Sequence, residues 1–372
     1  MYRDATSSSS DEDDLLFAAD AALLFGLDAE PIRGPIQKVP CRTSALSGRQ
    51  WFEELMSGHY TRIMDATRLS VDSFMRLCNI LADCGFVPQH HQKRVTIEEA
   101  LAMTLVMMSH NMRMRMIVDR FNHSLEIVHR NIHEVIKGLC TFAQFIITPR
   151  RQDEVHPKIF NATRFYLWFE DAVRTIDGTH IPASVPSRRQ VAYTNRYGVQ
   201  SVVCDHDMRF VYVYAGKYYL ADSVYRNLPN FLPPYKGRQA DVSGRRRGRF
   251  ATAKKLFNYK HSILCNVIER TFGVLKRRFA ILRGAIPHYM MTAQINVVIV
   301  CCAVHNFIRD QQPNDYYFAN PDIGDPDTNG AIPPYPEIHP LHSPPEVINQ
   351  WIGMRDAMAN HMFSTYRNTR HR

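Results

Sequence analysis

Thr175-Ile176-Asp177-Gly178-Thr179-His180-Ile181 points to an α/β fold. β-Branched residues dominate it, and Thr175–Ala183 reads as a strand with an Asp at or within it, followed by Gly. Val199–Asp205 and Arg209–Ala215 read as further strands, the second rich in β-formers from Phe210 to Tyr214. Asp205-His206-Asp207-Met208 lies between them and is read as a hairpin turn, because turn chemistry explains two Asp residues around a His more cheaply than a metal site does. Lys217–Ala221 is a fourth strand leading into Asp222, a polar basic loop follows, and a helix from about Ser262 to Phe279 carries Glu269.

Upstream of Pro149 the period changes to that of helices. Ser70 caps a helix that places Phe74, Leu77, Ile80 and Leu81 on one face. Thr96-Ile97-Glu98-Glu99 is a capping-box signature before a long apolar helix ending near His110. Met112 to Asn122 and Leu125 to Leu139 are two helical segments around Asn122-His123-Ser124. The second carries His129, Arg130, Asn131 and Lys137, an arrangement compatible with a helix-turn-helix and equally with two helices of a bundle. The expected division is a disordered acidic and Ser-rich tail over 1–46, a helical domain over 47–150 and an α/β domain over 160–310. A Pro-rich segment with a C-terminal helix around Pro345–Phe363 then occupies 311–372.

Composition narrows the class. The chain has 372 residues, with 45 Lys and Arg against 36 Asp and Glu, and the excess is placed unevenly. Asp11, Glu12, Asp13 and Asp14 make the start acidic, whereas the middle is basic, an asymmetry that suits a polyanionic partner or a solvated surface. The eight cysteines show no metal-site spacing, so a reducing compartment is expected. The opening residues lack a secretory pattern and Leu15 to Leu27 is too short to span a bilayer, so no membrane is expected.

Three carboxylates sit at the ends or faces of these elements: Asp177, Asp222 and Glu269. In-line attack on a phosphodiester is helped by two Mg²⁺ ions about 3.5–4 Å apart, and hard carboxylate oxygens are the natural holders. Taken singly, each has a plainer reading, as a turn Asp or a surface Glu. Glu269, though, is flanked by Val267, Ile268, Phe272 and Val274, and a charge among apolar neighbours needs a partner or a job. Between Lys236 and Lys260 there are nine basic residues and one acidic one, Asp241. Arg245, Arg246, Arg247, Arg249, Lys254 and Lys255 are therefore candidate phosphate contacts, with Arg130, Lys276 and Arg277 added from the helices. A nuclear-import signal is a compatible reading of the same arginines.

Several motifs in order resemble the PIF/Harbinger DDE transposases. They are Ile176-Asp177-Gly178-Thr179-His180-Ile181, Tyr219-Leu220-Ala221-Asp222, Phe231-Leu232-Pro233-Pro234-Tyr235-Lys236-Gly237, Leu256-Phe257-Asn258-Tyr259-Lys260-His261-Ser262, Asn266 through Arg278, and His305-Asn306-Phe307. Trp51 to Leu139 resembles the helical domain of plant members. The resemblance implies an α/β, RNase H-like DDE nuclease domain, a mixed sheet with flanking helices, preceded by an all-helical domain. It also implies Asp177, Asp222 and Glu269 as catalytic and metal ligands, Mg²⁺ or Mn²⁺ as cofactor, DNA as substrate and residence in the nucleus. A Myb-like partner supplies DNA binding in the family, and some domesticated plant relatives have lost catalysis and act in chromatin complexes.

The chain departs from that family in one place. Gly216 and Lys217 alone separate Ala215 from Tyr218, where the family carries a crossover helix with a Ser-Ala-His-Asp-Ser-like motif, and Val224 stands where Gly usually follows the second Asp. Returning along one strand and crossing three spacings of ~4.8 Å needs a span of roughly 20 Å, whereas two residues reach about 10 Å. One strand must therefore be sacrificed. The expectation is that Tyr218–Asp222 pairs as a hairpin with Arg209–Ala215, moving Asp222 away from Asp177, or that the region is a locally disordered mixture, either way leaving little or no metal-dependent cleavage. The other way out surrenders the third strand and keeps Asp222 in place.

Overall fold

Caps written in the sequence delimit the first helices. The computed structural model of the chain describes residues 44–88, 95–148, 157–166, 168–180, 199–204, 208–209, 218–221, 231–236, 250–284, 291–320 and 345–370. Helix α1 (Gly48–Ser57) starts on a complete capping box between Ser47 and Gln50. Helices α2 (Tyr60–Thr67) and α3 (Val71–Asp83) follow, the latter capped by Ser70 as expected. Helix α4 (Ile97–His110) is capped by the Thr96 hydroxyl, which accepts from the Glu99 N–H. The Glu99 carboxylate itself turns to His123 Nε2 at 2.8 Å, tying the start of α4 to residues 122–124, between Phe121 and Leu125. Helices α5 (Met114–Phe121) and α6 (Leu125–Ile146) are joined through Asn122 in the left-handed region and the Ser124 cap.

Among the described residues the sheet has four strands: β1 (Ala172–His180), β2 (Val199–Cys204), β3 (Tyr218–Ala221) and β4 (Phe231–Leu232), in the order β2-β1-β3-β4. β2 runs antiparallel to β1, whereas β3 runs parallel to β1 and β4 parallel to β3. This corrects the hairpin expectation. Both edges of β3 are occupied, by β1 and β4, so no edge remains for Arg209–Ala215 to pair with it. The physical reason lies in where the chain leaves β2. Cys204 pairs with Thr175 and Tyr218 pairs with Ala172, so β2 ends and β3 begins at the same end of β1. Crossing β1 takes about two strand spacings, near 10 Å, and residues 205–217 reach roughly 40 Å when extended. Of the expected third strand only Arg209 is described, ion-paired with Asp310; 210–215 lie outside the described residues.

Helix α8 (Ala253–Arg278) begins at the Thr252 cap, well before the expected start near Ser262. Lys254, Lys255 and Lys260 therefore belong to its first turns and not to a loop. Helices α9 (Met291–Gln311), α10 (Tyr316–Ala319) and α11 (Pro345–Arg370) complete the described chain, α11 running past the expected Phe363; the short helix α7 (Pro157–Phe160) precedes β1. Helix α9 is apolar and long enough to cross a membrane, yet most of it is buried against protein, chiefly α6.

Two apolar clusters organise these elements. The first joins α1–α6 to the C-terminal half of α8 (Ile268, Phe272, Val274, Leu275) and to α9. The second joins β1, β3 and β4 to the N-terminal half of α8 (Leu256, Phe257, Leu264) and to Ala359 and Met362 of α11. The expected boundary near residue 150 therefore does not separate two cores, and residues 44–372 form one compact unit. Gln312 Nε2 donates to the Ser73 hydroxyl at 2.7 Å and Arg68 Nε to the Arg278 carbonyl at 3.2 Å, binding the N-terminal helices to α8 and α9 by polar contacts as well.

Where α8 ends, Arg278 is wholly buried and ion-paired to Asp315, itself buried, with its guanidinium 4.6 Å from the Phe318 ring centroid. Burial pulls the Arg278 pKa down and the Asp315 carboxylate opposes that pull. Removing one partner of such a pair strands the other charge, so Asp315→Ala should lower unfolding free energy by about 3–5 kcal/mol in urea titrations. Next to it His305 is buried, donates Nε2–H to the Met208 carbonyl at 2.9 Å, and is held neutral, burial and then the Arg278 charge depressing its pKa well below the usual 6.5. The unfolded chain binds a proton below about pH 6.5 that the folded chain refuses, so stability is retained above that pH and lost as pH falls toward the folded pKa. His305→Gln should make the stability slope between about pH 7 and pH 5 shallower by up to about 1.4 kcal/mol per pH unit.

Candidate functional site

β1 is the reference line for the site. Ile176 pairs in parallel with Ala221, so each partner is followed by one of the expected carboxylates: Asp177 in β1 and Asp222 in the chain after β3. Asp177 is in strand register with Val202 of β2. Asp222 lies outside the described residues.

Helix α8 crosses this strand pair. Thr175 Oγ1 donates to the Leu264 carbonyl at 3.5 Å, and Phe257 meets Phe169, just before β1, at a centroid distance of 6.1 Å. Moving from 257 to 264 on the helix thus matches moving from 169 to 175 on the chain entering β1, so the two run in the same sense. Beyond Leu264, five helical residues to Glu269 rise about 7.5 Å. Beyond Thr175, two strand residues to Asp177 rise about 6.6 Å. Backbone geometry alone therefore sets Glu269 at about the level of Asp177.

Glu269 is exposed, with Ile268 and Thr271 buried on either side of the Glu269-Arg270 pair. This corrects the expectation of a charge held among apolar neighbours: the helical period turns Val267, Ile268 and Phe272 toward protein and Glu269 toward solvent. Just before Glu269, α8 passes from the sheet cluster, whose last buried α8 residue is Leu264, to the helical cluster, whose first is Ile268.

Residues absent from the expected site hold it together. Asn258 accepts the Tyr235 N–H at 2.9 Å and donates to the Tyr235 carbonyl at 3.1 Å, so its amide imitates a strand partner for the turn after β4. His261 Nε2–H donates to the Leu232 carbonyl at 2.8 Å. Both lie in the Phe257–Ser262 motif, where the signal was a polar residue at core spacing on a helix: Asn258 and His261 are buried. Asn258→Ala should strip both backbone groups of Tyr235 of a partner and cost about 1–3 kcal/mol, read as a lowered urea midpoint with unchanged m-value.

The basic candidates divide. Arg245, Arg246, Arg247 and Arg249 lie outside the described residues. Lys254 is exposed on the first turn of α8, with its ammonium 5.0 Å from the Tyr235 ring centroid, and Lys255 is half-buried. Lys260 sits 3.7 Å over the Trp168 ring, where burial lowers its pKa to about 8. Lys276, expected on a DNA-facing surface, is buried, because position 276 falls on the α8 face that enters the helical cluster. Arg277 donates to the carbonyls of Gly273 and Asn320, the latter at 2.9 Å. On α6, Arg130 is exposed beside Glu126 at 4.0 Å, whereas Asn131 is buried and spends its amide on the Ile127 carbonyl at 2.7 Å.

Residues 205–306 match the DDE superfamily endonucleases. The match takes in Asp222 and Glu269 and begins after β2, leaving Asp177 outside it. Residues 43–141 match a separate family described as a domain of unknown function, DUF8040, which covers α1 to α5 and most of α6. No curated protein and no solved structure matches the chain. The endonuclease-like segment thus contains β3, β4, α8 and most of α9, and DNA is the substrate that such a nuclease domain implies. Divalent ions are general in that superfamily. Among the described residues no group of three or more His, Cys, Asp or Glu side chains gathers as a metal site. The donor chemistry nevertheless fits: two hard carboxylate positions on β1 and α8 at one level, with Asp222 one residue past the paired Ala221.

Proposed function

We propose that this chain is a transposase-derived, metal-dependent DNA endonuclease of RNase H-like fold, related to the PIF/Harbinger elements. The observation that carries the reading is the parallel register of Ile176 with Ala221, in a β1 flanked on its other edge by antiparallel β2. An antiparallel strand on one side of β1 and a parallel one on the other, crossed by a helix bearing Glu, is the order an Asp-Asp-Glu site requires. In this reading Asp177, Asp222 and Glu269 hold two Mg²⁺ or Mn²⁺ ions. Bound there, the metal pair supplies a nucleophile at neutral pH and stabilises the leaving oxygen. The protein's own part is positional: β1 carries Asp177, the chain after β3 carries Asp222, α8 carries Glu269, and Lys254 with the arginines of 245–249 holds the phosphate chain.

Retention of the β1–β3 pairing favours catalysis despite the short link at Gly216-Lys217. A second reading rests on that same departure: a domesticated, non-catalytic protein that binds DNA or a chromatin complex. A Myb-like partner and nuclear residence accompany either reading through the family resemblance.

Supercoiled plasmid incubated with the purified chain and Mg²⁺ or Mn²⁺ separates them. Metal-dependent nicking is expected, falling in Asp177→Ala, Asp222→Ala and Glu269→Ala by at least the roughly 10–100-fold that outer-shell partners of a metal are worth. Wild type and the three variants nicking alike would reject the endonuclease. Salt-sensitive DNA binding with no nicking in any metal would establish the non-catalytic reading.

A further inference from the structure

Helix α8 reaches solvent through one narrow window. Between Lys255 and Arg278 its exposed residues are Asn266, Glu269 and Arg270; all others are buried or half-buried. Asn266, Glu269, Arg270 and Gly273 follow one another at i, i+3, i+4 and i+7, the spacing that puts residues on a single helix face. Gly273 therefore lies one turn beyond Glu269 and Arg270, between them in angle. Glycine is a poor helix former, and two other helical glycines of this protein have a visible reason for their place. A Cβ at Gly48 would meet the Phe121 carbonyl oxygen at 2.4 Å, and one at Gly138 the Phe86 carbonyl oxygen at 2.7 Å. Each makes room for another stretch of backbone. At Gly273 no described atom lies within 4 Å of where a Cβ would stand. The residue is nevertheless buried, so it forms the floor of a recess that no described part of the chain fills.

We propose that this recess seats the DNA strand: the sugar-phosphate backbone passes over Gly273, Arg270 holds one of its phosphates, and Asn266 hydrogen-bonds to it on the other side of Glu269. The inference rests on the reading of the chain as a DNA endonuclease and adds where the strand lies on the protein. Three features select a nucleic-acid strand as the occupant. Glu269 belongs to the proposed carboxylate set, so a strand cleaved there has to leave it along the neighbouring surface of the same helix. Arg270 is the exposed cation of the window, and a guanidinium matches the oxygens of a phosphate in bidentate fashion. At Gly273 the helix backbone is bare, the use glycine has wherever a ligand must approach a main chain closely. A protein partner fits poorly, because the window offers a carboxamide, a carboxylate and a guanidinium and no exposed apolar side chain, unlike the apolar centre of a protein interface. Asn266, Arg270 and Gly273 are thus contact positions, separate from the metal-holding carboxylates.

The test uses the full chain and a fluorescent DNA duplex of arbitrary sequence, titrated in EDTA so that no cleavage occurs, with thermal melting measured alongside. Gly273→Ala places one methyl in the recess. Gly353→Ala is the control: Gly353, exposed on α11, also has no described atom within 4 Å of its Cβ position. The residues one turn from it, Asn349, Gln350, Asp356 and Ala357, include no cation. Both Ala variants should melt about 1–3 °C above wild type, because alanine is the better helix former. Gly273→Ala alone should bind DNA more weakly, by roughly fivefold to tenfold, as an extra methyl in a close contact does. Arg270→Gln should make the plot of log affinity against log salt shallower by about 0.9, the share of one phosphate contact. Wild-type affinity in Gly273→Ala, a wild-type salt slope in Arg270→Gln, or a wild-type chain with no affinity for the duplex would overturn the seat. So would a Gly273→Ala variant that melts below wild type, since the chain itself would then occupy the recess. Metal-dependent nicking by wild type decides the endonuclease reading separately. Its absence, with the binding losses intact, leaves the strand seat on a non-catalytic protein; its presence, with binding unchanged in the variants, leaves the nuclease and removes the seat.

Discussion

Both apolar clusters are built on helix α8. Its 26 residues span about 39 Å, and its two halves are buried in different apolar clusters, one against the sheet and one against the N-terminal helices. A helix held at both ends in this way cannot slide or roll without opening one core or the other. Burial of Phe257 and Phe272, on the order of 1.5–3 kcal/mol for each side chain, resists both movements. The Glu269 carboxylate, just past the changeover, is therefore placed by the packing of the helix that carries it.

The same constraint makes the two family matches parts of one structure. α9, within the endonuclease-like segment, packs chiefly on α6 of the other match, and the Arg278–Asp315 pair seals the joint where α8 turns toward α9. A buried pair of this kind contributes less as attraction than as a demand: with one partner missing the other cannot stay. The N-terminal helices thus support the helix that carries Glu269, whatever else they contact.

A second layer of polar contacts governs the turn after β4. Asn258 and His261 reach it from α8, and Asp356 and Arg355 reach it from α11. The Pro-Pro pair leaves two positions without a backbone donor, so side chains take over the pairing that a longer strand would provide. Many of the residues that made the motifs conspicuous are here tied to shape and not to chemistry.

Local signals settled much of this protein from the chain alone. Ser47, Ser70, Thr96 and Ser124 cap helices because their hydroxyls meet backbone donors three residues on, an interaction that needs no tertiary partner. The strands around Asp177 and before Asp222 were legible for a similar reason: β-branched and aromatic runs declare themselves within a few residues. What lay beyond reach was which edges those strands share. The hairpin seemed forced by counting links after Ala215, yet the pairing was decided by the direction of β2, which returns the chain to the end of β1 where β3 starts, and by β4 occupying the other edge of β3. Likewise the apolar neighbours of Glu269 could not reveal that it faces solvent, nor the basic character of Lys276 that it faces the core, since a helix turns each residue by about 100° and only its neighbours determine which side is inside.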